Sequence, residues 1–131
     1  MQPKIFYKIA FLIVFISNIN IESKNHIYPQ EENYVAVAEV MPEIIGGLQE
    51  LHKKISYPDF AKRAGMEGKV FVLAFINENG DVDDVKIIKG IGGGCDEEVA
   101  KAVKKTKFKP AMNKSVPVKA KFPVAFTFKL S

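Results

Sequence analysis

Hydrophobic positions along this chain change period several times, and each change marks an element. Near the C-terminus Val116, Val118, Ala120, Phe122, Val124, Phe126 and Phe128 alternate with Pro117, Lys119, Lys121, Pro123, Ala125, Thr127 and Lys129. Alternation of this kind sets one row of side chains on a core and the other toward solvent, and predicts one strand over residues 116–129. Two prolines in a ladder fit only where the N–H side has no partner, so this strand belongs at a sheet edge. From Lys69 through Ile76 nearly every position is apolar, the pattern of a central strand. Asn79-Gly80 signals a turn, and Val82, Val85, Ile87 and Ile88 follow, so residues 69–89 read as an antiparallel β-hairpin.

Three stretches carry a helical period. Leu48, Leu51, His52 and Ile55 recur at three- and four-residue spacing after Gly46-Gly47, which predicts a short helix over residues 47–55 stopped by Tyr57-Pro58. Pro58 suits the first position of a second short helix, with Phe60, Ala61 and Ala64 on one side and Gly65 as its C-terminal cap. A third begins at Asp96-Glu97-Glu98 and ends in Lys104, Lys105 and Lys107, charges that complement the helix dipole at both ends. Val99, Ala100, Ala102 and Val103 form its inward stripe. Tyr34 to Val40 reads as a strand or extended arm closed by Met41-Pro42.

The third helix is the crossover between the hairpin and the last strand. That connection is right-handed, and it leaves the last strand parallel to the second hairpin arm with the first arm between them. The expected fold is α+β: a small three-stranded antiparallel or mixed sheet, built from the hairpin and a C-terminal edge strand, with two to three helices on one face.

Ahead of this pattern, Lys4 and Lys8 precede an unbroken apolar run from Ile9 to Ile16. The run falls short of the roughly 20 residues that span a bilayer and has the order of a secretory signal. Residues 1–21 therefore read as a signal peptide or short membrane anchor, residues 22–33 as a polar linker, and residues 34–131 as the folded domain. Export, with the segment either cleaved or kept as a membrane anchor, is the expectation.

Composition narrows the chemistry. With 131 residues, 47% hydrophobic and 26% charged, the chain has room for one domain and a short extension. Its one cysteine, Cys95, forbids an intramolecular disulfide, and Cys95, His26 and His52 cannot assemble a four-ligand zinc site. Asp81, Asp83 and Asp84 resemble a calcium loop, but Lys86 and Gly92 stand where that loop needs Gly and Glu. Gly92-Gly93-Gly94 precedes a helix whose acidic start repels phosphate. Cys95 sits beside three carboxylates that oppose a thiolate, and it reads as a small buried hydrophobe. No nucleophile elbow, zinc-protease motif or phosphate-binding loop is present, so no enzyme and no cofactor are expected.

The formal charge is +4, and beyond residue 24 it falls to 16 basic against 14 acidic residues. From Lys101 onward there are nine lysines and no acid. Aromatics of the last strand face the core rather than interleaving with these lysines, and nucleic acid is not an expected partner. Lys119 and Lys121 on an edge strand either discourage edge-to-edge aggregation or flank an edge that accepts an extended, acid-containing peptide by strand addition.

The ordered set Met41-Pro42, Gly46-Gly47, Tyr57-Pro58, Ala61, Gly65, Glu67-Gly68-Lys69-Val70, Asn79-Gly80, Val85, Gly90-Ile91-Gly92-Gly93-Gly94-Cys95-Asp96-Glu97-Glu98 and Phe108-Lys109-Pro110 resembles the TonB C-terminal domain family. The likeness is to the Bacteroidetes-like variants, as a short stand-alone form, and covers about residues 34–131. It implies a periplasmic module on which the box peptide of TonB-dependent outer-membrane receptors adds as a strand, supporting energised transmembrane transport. Carried over by position, the peptide-binding edge is Val118, Lys119, Ala120, Lys121, Phe122, Val124, Ala125 and Thr127. Lys54, Ile55 and Ser56 would meet the peptide's other end. The resemblance also implies an inner-membrane anchor coupled to proton-driven motor proteins. A connector from Glu22 to Asn33 reaches at most about 40 Å, short for a periplasm-spanning spacer. Self-association through the same edge as a homodimer, and an accessory domain binding envelope material through its lysines, are the alternatives.

Overall fold

A nine-residue strand, β2 (Gly68–Ile76), is the middle of the main sheet, because its even and odd side chains are both largely apolar and need cover on two faces. The computed structural model describes residues 28–131; the predicted signal or anchor (1–21) and the first part of the linker (22–27) lie outside the described residues. In chain order the elements are β1 (Glu43–Ile44), α1 (Leu48–Lys54), α2 (Asp59–Arg63), β2, β3 (Val82–Lys89), α3 (Cys95–Lys104), β4 (Phe108–Lys109), β5 (Ala111–Asn113), β6 (Val116–Val118) and β7 (Ala120–Phe128). A 3-10 turn, Glu31–Asn33, precedes them. The main sheet has the order β3-β2-β7, antiparallel at both pairings, so β3 and β7 run parallel as predicted.

Val70, Val72, Ala74 and Ile76 of β2 form one buried face with Val124 and Phe128 of β7. Leu51 of α1, Ala61 of α2, Val99, Ala102 and Val103 of α3, and Phe108 of β4 close over it. Local chemistry sets the helix ends. Asp96 in the first turn of α3 accepts the N–H groups of Ile91 (2.8 Å) and Gly92 (3.3 Å), which folds the glycine-rich connection against the helix start. At the end of α2, Gly65 donates to Lys62 O and Met66 to Ala61 O, a Schellman closure that turns the chain into β2.

The predicted strand over residues 116–129 is two strands. β2 ends at Ile76, which faces Ala120, so residues before 120 have no partner in the main sheet. They fold back instead on Ala111–Asn113 as the β5–β6 hairpin, with the chain breaking strand at Lys119. Period two survives the break, which is why sequence alone could not show it. A further short pair joins Glu43 to Lys109 and Ile44 to Phe108. The Asn79-Gly80 signal sits in a five-residue loop, residues 77–81, rather than a two-residue turn: Asn77 Oδ1 accepts from the N–H groups of Asn79 and Asp81, and Gly80 donates to Asn77 O.

Tyr34–Val40 is an arm with single bridges rather than a strand. Val35 meets Ala120 in a parallel bridge, and Val40 meets Met112 in an antiparallel one. The arm covers the sheet face opposite the helices. Phe75 is fully buried there, with the Tyr34 ring edge-on at 5.2 Å and the Tyr28 ring at 6.4 Å. Tyr34 donates its hydroxyl to Asp83 Oδ2 at 2.5 Å, and Lys119 Nζ lies 5.6 Å from the Tyr34 ring. Glu31 faces Lys86 (3.0 Å) and Lys121 (3.9 Å). Burial first, and then the Asp83 carboxylate, push the Tyr34 phenol well above its ordinary value.

Two tests follow from this packing. Gly80 has φ +82°, and a methyl there would lie 1.9 Å from the Phe108 carbonyl oxygen, a backbone atom with no freedom to retreat. Gly80→Ala is expected to cost more than about 3 kcal/mol, against about 1 kcal/mol for Gly65→Ala, where φ is +66° but nothing lies within 4 Å; urea unfolding of both variants measures the difference.

Tyr34→Ala should cost about 3 kcal/mol and Tyr34→Phe about 1 kcal/mol. Because the folded-state pKa of Tyr34 is raised above its unfolded value, the neutral phenol contributes stability that is whole below pH about 10 and is lost as pH climbs above it. Urea unfolding between pH 8 and 11 should show a smaller alkaline loss in Tyr34→Phe than in the parent.

Candidate functional site

In an extended strand the N–H and C=O of one residue point to one side and those of the next residue to the other. On β7 the two sides can be told apart because the arm uses one of them. Val35 donates to Lys119 O at 2.9 Å, and Lys121 donates to Val35 O at 2.9 Å. The odd-numbered backbone groups of β7 therefore point away from β2, and the even-numbered ones bond it. The register from Gly68–Phe128 to Ile76–Ala120 is unbroken, so this assignment holds along the whole strand.

Pro123 falls on the outward side, where it has no N–H to waste. Ala125 and Thr127, both exposed, turn their N–H and C=O outward, and among the described residues no group bonds their N–H groups. Val124 differs. Its side chain is 4% exposed and its N–H faces Val72 of β2, so it supplies a wall to the site and no free donor.

Two grooves run beside this edge on the face that carries the helices. The larger, about 400 Å³, lies between Phe122–Ala125 of β7 and a wall of Pro42, Glu43, Ile44, Gly47 and Leu48. The smaller, about 180 Å³, lies between Phe126–Lys129 and the pair Ile55 and Tyr57. His52 stands between them, its ring edge-on to Phe126 with centroids 4.9 Å apart. Tyr57 packs edge-on to Phe128 at 5.1 Å and donates its hydroxyl to Met66 O, which holds the segment after α1 against the strand.

Of the residues predicted for the site, Phe122, Val124, Ala125, Thr127 and Ile55 come together at this edge. Ser56 is exposed next to Ile55. Val118 pairs with Ala111 in the β5–β6 hairpin, and Lys119, Ala120 and Lys121 lie beneath the arm. The ammonium of Lys54 donates to Lys105 O at 3.2 Å, closing the C-terminal end of α3. Lys119 and Lys121 are already engaged, one over the Tyr34 ring and the other with Glu31. Leu48, which the helical period put in the inward stripe of α1, is 59% exposed and lines the larger groove. Pro42, Ile44, Leu48 and Tyr57 join the site from segments that share no period, so the pattern along the chain does not point to them, while Phe126 sits in the period-two row of β7 that reads as core.

The remaining candidates have structural partners. Asp81 pairs with Lys107 at 2.5 Å, while Asp83 takes the Tyr34 hydroxyl and the Asn77 amide. Cys95 is fully buried, and burial, then Asp96 and Glu97, push its thiol pKa up, which suits a packing role.

Residues 53–130 match the model of the Gram-negative bacterial TonB protein C-terminal family. Among curated proteins, Protein TonB of Pseudomonas aeruginosa is 32% identical over 75 residues, which is 56% of this chain but only 22% of that protein's length. The solution NMR structure of the Pseudomonas aeruginosa TonB CTD matches with 31% identity and a TM-score of 0.48, over 58% of this chain and 78% of that one. A Helicobacter pylori TonB-CTD solution structure matches with 27% identity and a TM-score of 0.46, over 63% of this chain and 90% of that one. With the family model covering more than half of its length, the chain belongs to the TonB C-terminal domain family.

Proposed function

We propose that this protein is a receptor-docking module of the cell envelope, facing the periplasm. In this reading the open edge of β7 takes the box peptide of TonB-dependent outer-membrane receptors by strand addition and supports energised transmembrane transport. It acts by binding rather than catalysis. The observation that carries the proposal is the outward backbone of Ala125 and Thr127, whose N–H groups no group among the described residues bonds, bordered by two grooves. The arm adds weight: its Val35 already bonds the same edge two positions before Pro123, so this edge accepts extended chain. Main-chain hydrogen bonds would supply affinity, and the grooves would read alternate side chains. Among the described residues no helix is long and apolar enough to cross a membrane.

Fluorescence anisotropy of the full-length chain with fluorescein-labelled N-terminal segments of such receptors tests the reading. Sequence-selective binding over scrambled controls is expected, with a loss of at least about tenfold in Ala125→Pro, which removes one outward N–H while leaving the β2 ladder whole. Val124→Pro should instead unfold the sheet, because it deletes a ladder bond to β2. A folded chain that binds no receptor segment overturns the proposal.

A further inference from the structure

A strand added beside β7 would continue the pleat, so its residues opposite Val124, Phe126 and Phe128 point to the helix-covered face, and the residues between them point to the other face. The larger groove is centred on Phe122–Ala125 and the smaller on Phe126–Lys129. Positions opposite Val124 and Phe128 are four residues apart, a span of about 14 Å along a strand, and each falls beside one groove. The position between them faces His52, whose ring is held against Phe126.

We infer that the β7 edge selects extended segments with apolar side chains four residues apart, the two anchors filling the grooves on either side of His52. This specificity rests on the docking reading above and adds the side-chain pattern of the occupant. The groove volumes, about 400 and 180 Å³, place the bulkier anchor opposite Val124.

Two features commit the site to a lone peptide strand. α1 and β1 stand beside the edge as the far walls of the larger groove, leaving a slot for one chain rather than for the edge of another sheet. The arm also closes the slot at Lys121 through its bonds from Val35, so pairing is confined to Phe122–Phe128, about seven residues. A short segment with two anchors matches that length.

The test uses fluorescein-labelled Ser/Thr heptapeptides with Leu at positions 2 and 6, at 2 and 5, or at 2 and 4. All three have one composition. Only the first presents both leucines to one face at the groove spacing. Titrated into the full-length chain, it should bind at least about tenfold more tightly than the other two. Leu48→Glu, at an exposed position that leaves the core untouched, should remove that preference and bring the first peptide down to the affinity of the other two. Thermal unfolding confirms that the variant is folded.

Equal affinity for the three peptides overturns the proposal and leaves the docking reading standing on receptor-segment binding. A preference that survives in Leu48→Glu also overturns it. Failure of the heptapeptides and of every receptor segment to bind overturns both.

Discussion

The pairing of β2 with β7 is the interaction on which both the fold and the candidate site depend. It runs from Gly68–Phe128 to Ile76–Ala120 without a register shift, whereas the β2–β3 pairing shifts twice. An unbroken register keeps alternation strict. Every even residue of β7 sends its backbone to β2 and its side chain toward the core, and every odd residue sends its backbone outward. A bulge at the start of β7 would exchange these roles downstream of it, turning the N–H groups of Ala125 and Thr127 toward β2 and exposing Val124 and Phe128.

An open edge of this kind is also a hazard, because free backbone groups recruit other strands. The structure limits that exposure at both ends. Upstream, the arm lies over Lys119 to Lys121, held by Tyr34 against Phe75 and by Glu31 between Lys86 and Lys121. Pro123 then removes one donor at an outward position. Downstream, the N–H of Leu130 is taken by Glu67 at 2.7 Å. What remains open is a short stretch around Ala125 and Thr127, bordered by the two grooves. Of the ion pairs around it, Lys109 with Glu43 is exposed and Lys121 with Glu31 is partly exposed and long at 3.9 Å, so they contribute little by themselves. The aromatic contacts of Tyr34, Tyr57 and Phe126 carry more of the geometry.

Much of this was legible beforehand. The alternation through Phe122, Val124, Phe126 and Phe128 showed an edge strand with one buried face. The apolar run through Val70 to Ile76 showed the central strand, and the acidic residues Asp96 to Glu98 showed the start of α3 to within a residue, while the helix ends at Lys104, the first of the lysines Lys104, Lys105 and Lys107 that mark its end. The resemblance to the TonB family rested on ordered short motifs, and the family model agrees over residues 53–130. Two of the corrected readings share one reason. The break at Lys119 and the exposure of Leu48 both depend on where a partner stops: β2 ends opposite Ala120, and among the described residues no element covers the outer side of α1.

By itself, the sequence determined the three helices and the strands of the main sheet, their order and the core-facing rows of that sheet, because these follow from local periodicity and from the turn chemistry of glycine, proline and asparagine. Only the tertiary structure decided which backbone groups of β7 stay open. That choice depends on its partner strand's register and on an arm 85 positions upstream that bonds Lys119 and Lys121. It likewise decided that Pro42, Leu48, Ile55 and Tyr57 line one edge, since residues from separate segments meet only when the chain closes on its core. Periodicity reports what a residue faces within its own element, and a docking edge is made between elements.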